Sequence, residues 1–238
     1  MIDMKKKMAI VLSLVLACSM SMTAAAAPSP SLIKTPGTQV VVDSSAVNVA
    51  TGSAAAATTT SVNSSTSAVM EGTTFKNAAG QAIDPAAVAL VVAPATAEQT
   101  AAAVQSFTAA LTSAKASIVN FTGRQDISLT DAQGRIRVLG ASVVALQTAD
   151  GQAVSQNGSI SVNKTLAEIL GTTTLAAGET VQALYQRADG TWVAVPVVIN
   201  NGVVAFALPS FAGAVNVVFT VAAGTSVSEL APVTSPNT

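Results

Sequence analysis

Between residues 179 and 221, apolar side chains recur at every second position. This period marks strands with one buried face. Within "ETVQALYQRADGTWVAVPVVINNGVVAFAL", two turn signals, Asp189–Gly190 and Asn201–Gly202, separate the runs. A two-residue loop at Asp189–Gly190 would set Trp192 opposite Arg187. Val193, Val195 and Val197 would then share a face with the polar Gln182 and Gln186. A three-residue loop, Ala188–Asp189–Gly190, shifts the pairing by one and puts Gly190 in the left-handed position of a G1 bulge. Val181, Ala183 and Tyr185 then share a face with Val193, Val195 and Val197, while Gln182, Gln186 and Trp192 take the other face. A one-residue slip exchanges the faces, so the apolar pattern selects the three-residue loop. Asn201–Gly202 is a type I′ signal that pairs Ile199 with Val204, Val197 with Phe206 and Val195 with Leu208. Ten apolar side chains from Val181 to Leu208 should therefore line one face. Val215, Val217, Phe219 and Val221 continue it in a fourth strand. Pro196 breaks the pattern, because it cannot donate a ladder hydrogen bond. It predicts a bulge, an edge position or an unpaired carbonyl opposite.

Upstream, the pattern changes twice. Residues 83–123 predict strand, helix, strand. Val88 to Ala93 form an apolar run bounded by Pro85 and Pro94, which suits a buried strand. In "TAEQTAAAVQSFTAALTSAK", Thr96 can cap a helix with Gln99 three residues on. Val104, Phe107, Leu111 and Ala114 fall on one stripe of that helix, and Lys115 suits its last turn. "SIVNF" reads as another strand. From residue 124, short alternating runs are separated by turn signals at Asp131–Gly134, Asp150–Gly151 and Asn157–Gly158, which suits an all-β sandwich or barrel. "KTLAEILG" fits a single helical turn. Residues 28–82 are a Ser/Thr/Ala-rich, low-complexity segment with possible short strands at Val40 to Val42 and Ala46 to Ala50. "GSAAAATTTSVNSSTS" within it reads as a flexible linker. Residues 225–238 read as a C-terminal tail.

Residues 1–27 read as a signal peptide: Lys5, Lys6 and Lys7, an apolar run from Met8 to Cys18, then Ala24 to Ala27 and Pro28. Cleavage is expected near Ala26 or Ala27. The apolar run is short for a span, which needs about 20 residues. "LVLAC" at Leu14 to Cys18 loosely matches a lipobox, so lipidation of Cys18 is the alternative, and only then would the protein engage a membrane. Cleavage would remove three of the 11 basic residues, one of the 12 acidic residues and the single cysteine. The remaining net charge of −3 is not a footprint for nucleic acid. Composition agrees with a β fold: hydrophobic residues make up 50 % but aromatics 3 % and charged residues 10 %, so Ala and Val carry the apolar share.

The run "GETVQALYQRADGTWVAVPVVINNGVVAFALPSFAGAVNVVF" resembles the C-terminal immunoglobulin-like β-sandwich modules of secreted bacterial surface proteins. Those modules share the order strand, Tyr-x-x-x-(Asp)-Gly-x-Trp hairpin, strand, x-Gly turn, strand, Ser-Phe, final strand. "DISLTDAQGR" is similar to their opening strand and turn. The likeness covers roughly residues 124–221, and its motifs are structural. It implies a secreted or cell-surface setting and nothing finer, and it transfers no catalytic residue. Taken with the strand pattern, the expected fold is mainly β: an immunoglobulin-like antiparallel sandwich over residues 124–224, with one amphipathic helix in the preceding segment.

The side-chain inventory narrows the chemistry. There is no histidine, which removes Ser-His-Asp and Cys-His catalysis. Without a mature cysteine no zinc set is expected, and no Gly-rich phosphate loop or Asp-x-Asp-x-Asp calcium loop appears. A turn carboxylate such as Asp131 is at most a ligand of a weak calcium site. The carboxylates stand singly, and a two-carboxylate hydrolase is the remote alternative. The expectation is a non-enzymatic structural or adhesion-type module that needs no cofactor or metal, with cell-envelope components or other surface proteins as partners. Trp192, the only tryptophan, is expected to cover an outer edge of the sheet or to pack against the helix or the residue 28–68 segment; the rival is a glycan- or peptide-binding module using Trp192 beside Gln186. Sequons at Asn63, Asn120, Asn157 and Asn163 are read as chance in a Ser/Thr-rich chain.

Overall fold

A computed structural model describes residues 42–43, 57–112, 118–120, 129–171, 173–195 and 197–224. The protein is mainly β. In chain order its elements are β1 (Val42–Asp43), β2 (Thr58–Ser61), β3 (Ser67–Val69), β4 (Thr74–Lys76), β5 (Ala82–Ile83), β6 (Val88–Pro94), helix α1 (Ala97–Thr112) and β7 (Ile118–Asn120). There follow β8 (Ile136–Thr148), β9 (Ser155–Asn157), β10 (Ser159–Thr165), helix α2 (Leu166–Leu170), β11 (Glu179–Gln186), β12 (Trp192–Val195), β13 (Val197–Asn200), β14 (Val203–Pro209) and β15 (Ala214–Ala223). The largest sheet runs β2-β6-β8-β15-β11-β12-β7, with β1 added parallel to β8. A second sheet runs β13-β14-β10-β3, and a small third one β5-β4-β9.

The hairpin register is that of the three-residue loop: Tyr185 pairs with Val193 and Gln186 with Trp192. Gly190 has φ 84°, and the Arg187 N–H donates to the Thr191 carbonyl across the loop. The second turn pairs Ile199 with Val204 and Val197 with Phe206. Asn201 (φ 48°) and Gly202 (φ 75°) both take the left-handed conformation a type I′ turn requires. All ten predicted side chains line one core, Ile199 partly exposed, with Val215, Val217, Phe219 and Val221.

That face is not one continuous sheet. β12 belongs to the large sheet and β13 to the second, and the change falls between Val195 and Val197. Pro196 itself lies outside the described residues. Val195 keeps its predicted hairpin pairing with Ala183, but the predicted pairing with Leu208 is not made. The chain thus crosses from one sheet to the facing one, and the ten side chains fill the space between the two. Gln182 serves this break. Its Nε2 is buried and donates to the carbonyls of Val195 and Ala183, satisfying groups that a lost ladder bond would strand.

Helix α1 has the predicted capping box: the Gln99 N–H donates to Thr96 Oγ1, and Thr96 N–H to Gln99 Oε1. Its apolar stripe lies on the outer face of the large sheet, with Ala103 and Phe107 buried against Val138, Leu184 and Val218. Ala114 and Lys115 lie outside the described residues. Because α1 covers one face and the second sheet the other, β8 and β11 are buried on both sides. Helix α2 has its own capping box between Thr165 and Glu168.

The linker reading of "GSAAAATTTSVNSSTS" needs correction over residues 57–68. Thr58–Ser61 pair with β6 at an edge of the large sheet, and Ser67–Val69 pair with β10. Val62 is fully buried, and the buried Ser67 Oγ donates to the Val62 carbonyl. Thr is a good strand former, and the hydroxyls here bind backbone and one another, so a low-complexity composition still builds sheet edges. Residues 1–41, including Cys18, Ala26 and Ala27, lie outside the described residues, as do the tail, 225–238, and the first three residues of "DISLTDAQGR", 126–128.

Candidate functional site

Three places gather polar chemistry: the layer under α1, a charged cluster at one end of the large sheet, and a cleft at the mouth between the facing sheets.

Under α1 lie both residues put forward for ligand binding. Trp192 is fully buried. Its ring meets Phe107 edge-on, with centroids 5.5 Å apart and planes at 67°. Its Nε1 donates to Ser106 Oγ at 3.3 Å, and Gln186 Nε2 donates to the same oxygen at 2.7 Å. The register correctly places the two on the face away from the Val/Phe core, but that face is covered by α1. A stacking platform needs an open ring face, and Trp192 has none. Of the two sequence readings, packing against the helix is the one observed: Trp192 and Gln186 dock it, and the open stacking platform is corrected.

The charged cluster contains the buried carboxylates Asp131 and Glu179. Asp131 closes a turn with Arg135. Its Oδ1 accepts from the N–H groups of Gln133 and Arg135 at 2.9 and 2.8 Å, and its Oδ2 from Arg135 Nε at 3.0 Å. Arg135 Nη2 also lies 3.0 Å from Oδ2. Burial alone would raise the Asp131 pKa, but the backbone donors and the Arg135 guanidinium outweigh it and hold the group below its ordinary value. Glu179 accepts from Arg137 Nη1 with both oxygens, at 3.2 and 3.1 Å, and from the Ala176 N–H at 2.9 Å. Both carboxylates are engaged by donors, so Asp131 offers no open valence to a calcium ion and the pair resembles a clamp rather than an acid and a base. The clamp ties the start of β8 to that of β11.

Lys164 is a cation in a perturbed setting. It follows Ile160 and Val162 on the inward side of β10, and burial pushes its ammonium below the usual range while the Glu168 carboxylate opposes the shift.

The cleft was not apparent from sequence. It has a volume of about 470 Å³ and is lined by Asn157, Gly158, Ser159, Tyr185, Arg187, Pro209 and Ser210. Tyr185 points inward from the end of β11, and its hydroxyl accepts from Arg187 Nε at 3.2 Å. The opposite wall is the turn between β9 and β10. Gln156 fixes that turn by donating from Nε2 to the carbonyls of Leu208 and Pro209. Ser210 Oγ accepts from the Gly158 N–H at 3.0 Å and donates to Asn157 Oδ1 at 3.3 Å. Gly158 is required there: at φ 113° a Cβ would come within 2.6 Å of Thr73 Oγ1. No local motif signals this site, since its walls come from segments about 30 residues apart that meet only when the two sheets face each other.

No family model, curated protein or solved structure matches the chain. Among the described residues, no helix is long and apolar enough to cross a membrane.

Proposed function

We propose that the protein is an exported, non-enzymatic module of the bacterial cell surface with a structural or adhesion-type role, and that its C-terminal part is a variant immunoglobulin-like sandwich. The fold reading is supported by how strands from residue 136 onward divide. β8, β15, β11 and β12 are neighbours in one sheet, and β10, β14 and β13 in the other. Apart from the short β9, which joins the third sheet, these seven strands split four and three, with one stretch switching sheets, and suit an antiparallel sandwich of this class. The leader-like residues 1–27 and the resemblance over residues 124–221 support export to the surface.

The observation that carries the functional reading is the use made of the buried polar side chains. Trp192, Gln186, Gln182, Asp131 and Glu179 each spend their bonding capacity on a neighbouring element. Such side chains fix helix on sheet, strand on strand and turn on sheet. They are the equipment of a rigid scaffold.

The test is expression of the full chain in a bacterial host with an intact export pathway. The mature N-terminus is then sequenced, and intact cells are probed with protease. A chain starting near residue 27 or 28 and cut by external protease is expected. A diacylglyceryl group on Cys18 would make the protein a lipid-anchored surface module. A cytoplasmic protein retaining Met1 would overturn the proposal.

A further inference from the structure

We propose that the cleft between the facing sheets binds an acidic saccharide, with the carboxylate of a hexuronate held by Arg187 and Tyr185. The assignment concerns the protein in solution and does not depend on where it acts.

The cleft is rich in donors. A guanidinium carries five N–H donors, and among the described residues Arg187 spends only Nε, on Tyr185. Among the described residues the ion pairs of Asp131 and Glu179 are with Arg135 and Arg137, and none involves Arg187. The adjacent Asp189 uses Oδ1 on the Thr191 N–H. The Tyr185 hydroxyl accepts from Arg187 and keeps its own proton to give. On the opposite wall, Asn157 takes up Ser210 with its Oδ1 and leaves an amide NH₂ at the cleft.

These donors differ on the two sides. One side offers a planar, charged fork beside a phenol, which fits the two oxygens of a carboxylate. The other offers the Asn157 amide, which fits sugar hydroxyls. A ring with a carboxylate on one edge and hydroxyls on the other satisfies both walls at once. The volume of about 470 Å³ falls within the roughly 300–1,000 Å³ of small-molecule sites. A single guanidinium without a nest of backbone N–H groups suits a carboxylate better than a phosphate. A peptide C-terminus shares the carboxylate but lacks the ring hydroxyls that the Asn157 amide would meet.

The experiment is titration of the purified, ¹⁵N-labelled protein with sodium glucuronate. Glucose, acetate and N-acetyl-dialanine serve as comparison ligands. Saturable shifts of the Gly158, Ser159 and Arg187 amides are expected with glucuronate, and markedly weaker binding of the other three. Arg187→Gln should weaken glucuronate on the order of tenfold, as loss of a charge-assisted pair does. Arg187→Lys should weaken it less, by losing the fork but keeping the charge. Tyr185→Phe keeps the buried ring and should cost about two- to tenfold. Absence of saturable shifts would overturn the site. Equal binding of glucose would overturn the carboxylate contact, and undiminished binding by Arg187→Lys would overturn the fork. Acetate or N-acetyl-dialanine binding as tightly as glucuronate would overturn the saccharide. Should Arg187→Gln fail to fold, Tyr185→Phe and Arg187→Lys carry the decision.

Discussion

Replacing Trp192 with alanine separates a packing role from a binding role. The indole is fully buried and makes an edge-on contact with Phe107. Its Nε1 hydrogen bond to Ser106 joins that of Gln186 on one oxygen. Truncating a buried aromatic to alanine costs about 3–5 kcal/mol, from lost transfer energy plus the cavity left behind. Within that sum the edge-to-face pair accounts for about 0.5–1.5 kcal/mol and the hydrogen bond for about 1 kcal/mol. Set against a total stability of about 5–15 kcal/mol, this is a large share. The helix Ala97–Thr112 should loosen as well, because Trp192 is one of its main contacts on the sheet. The assay is urea unfolding followed by far-UV circular dichroism, since the variant has lost the only tryptophan. With a slope near 2 kcal/mol/M, the midpoint should fall by about 2 M. A substitution at an exposed position away from special features stays within about 0.5 kcal/mol. A loss below about 1 kcal/mol at unchanged slope would refute the reasoning and return Trp192 to the surface.

Two further outcomes follow from single residues. Asp131 is held below its ordinary value of 3.8 in the fold, so its ionised form stabilises the native state above that pH. The contribution is lost as pH falls from 3.8 through the lower folded value. Asp131→Asn should therefore be less stable than the parent near pH 7, with the gap closing in strong acid; unfolding curves between pH 7 and pH 2 that keep the gap constant would oppose this. Gly158→Ala should lower the melting temperature more than Gly190→Ala. Both positions have positive φ, but only at Gly158 does a Cβ strike Thr73, breaking the two Thr73–Ser159 hydrogen bonds. The expected costs are about 2–3 kcal/mol against about 1 kcal/mol, and equal shifts by calorimetry would refute the difference.

Legibility followed the range of the interaction. The 188–190 loop, the Asn201–Gly202 turn, the Thr96–Gln99 cap and the inward alternation from Val181 to Val221 are set by residues within a few positions of one another, and each appears as read. The composition of residues 57–68 misled, because edge strands there draw their pairing from β6 and β10, far along the chain. The candidate site was only half legible. The sequence placed Trp192 and Gln186 off the Val/Phe face. It left open whether α1, the residue 28–68 segment or solvent would lie against Trp192, since a strand's outer face looks alike in each case. Arg187 and Tyr185 stood in the hairpin, yet their opposite wall, Asn157 and Ser210, reaches them only through the packing of the sheets.

By itself the sequence determined the mainly β character, the registers of both hairpins, the position of the helix and the absence of histidine chemistry. All of these are properties of local pattern and inventory. The tertiary structure alone decided that the chain changes sheets between Val195 and Val197 and that the helix Ala97–Thr112 seals Trp192 from solvent. It also decided that Arg137 joins Glu179, 42 residues away, and that a donor-lined cleft opens where the two sheets end. The physical reason is common to all four. Local pattern fixes which side of a strand is apolar, but only the packing of distant segments fixes what lies against each side.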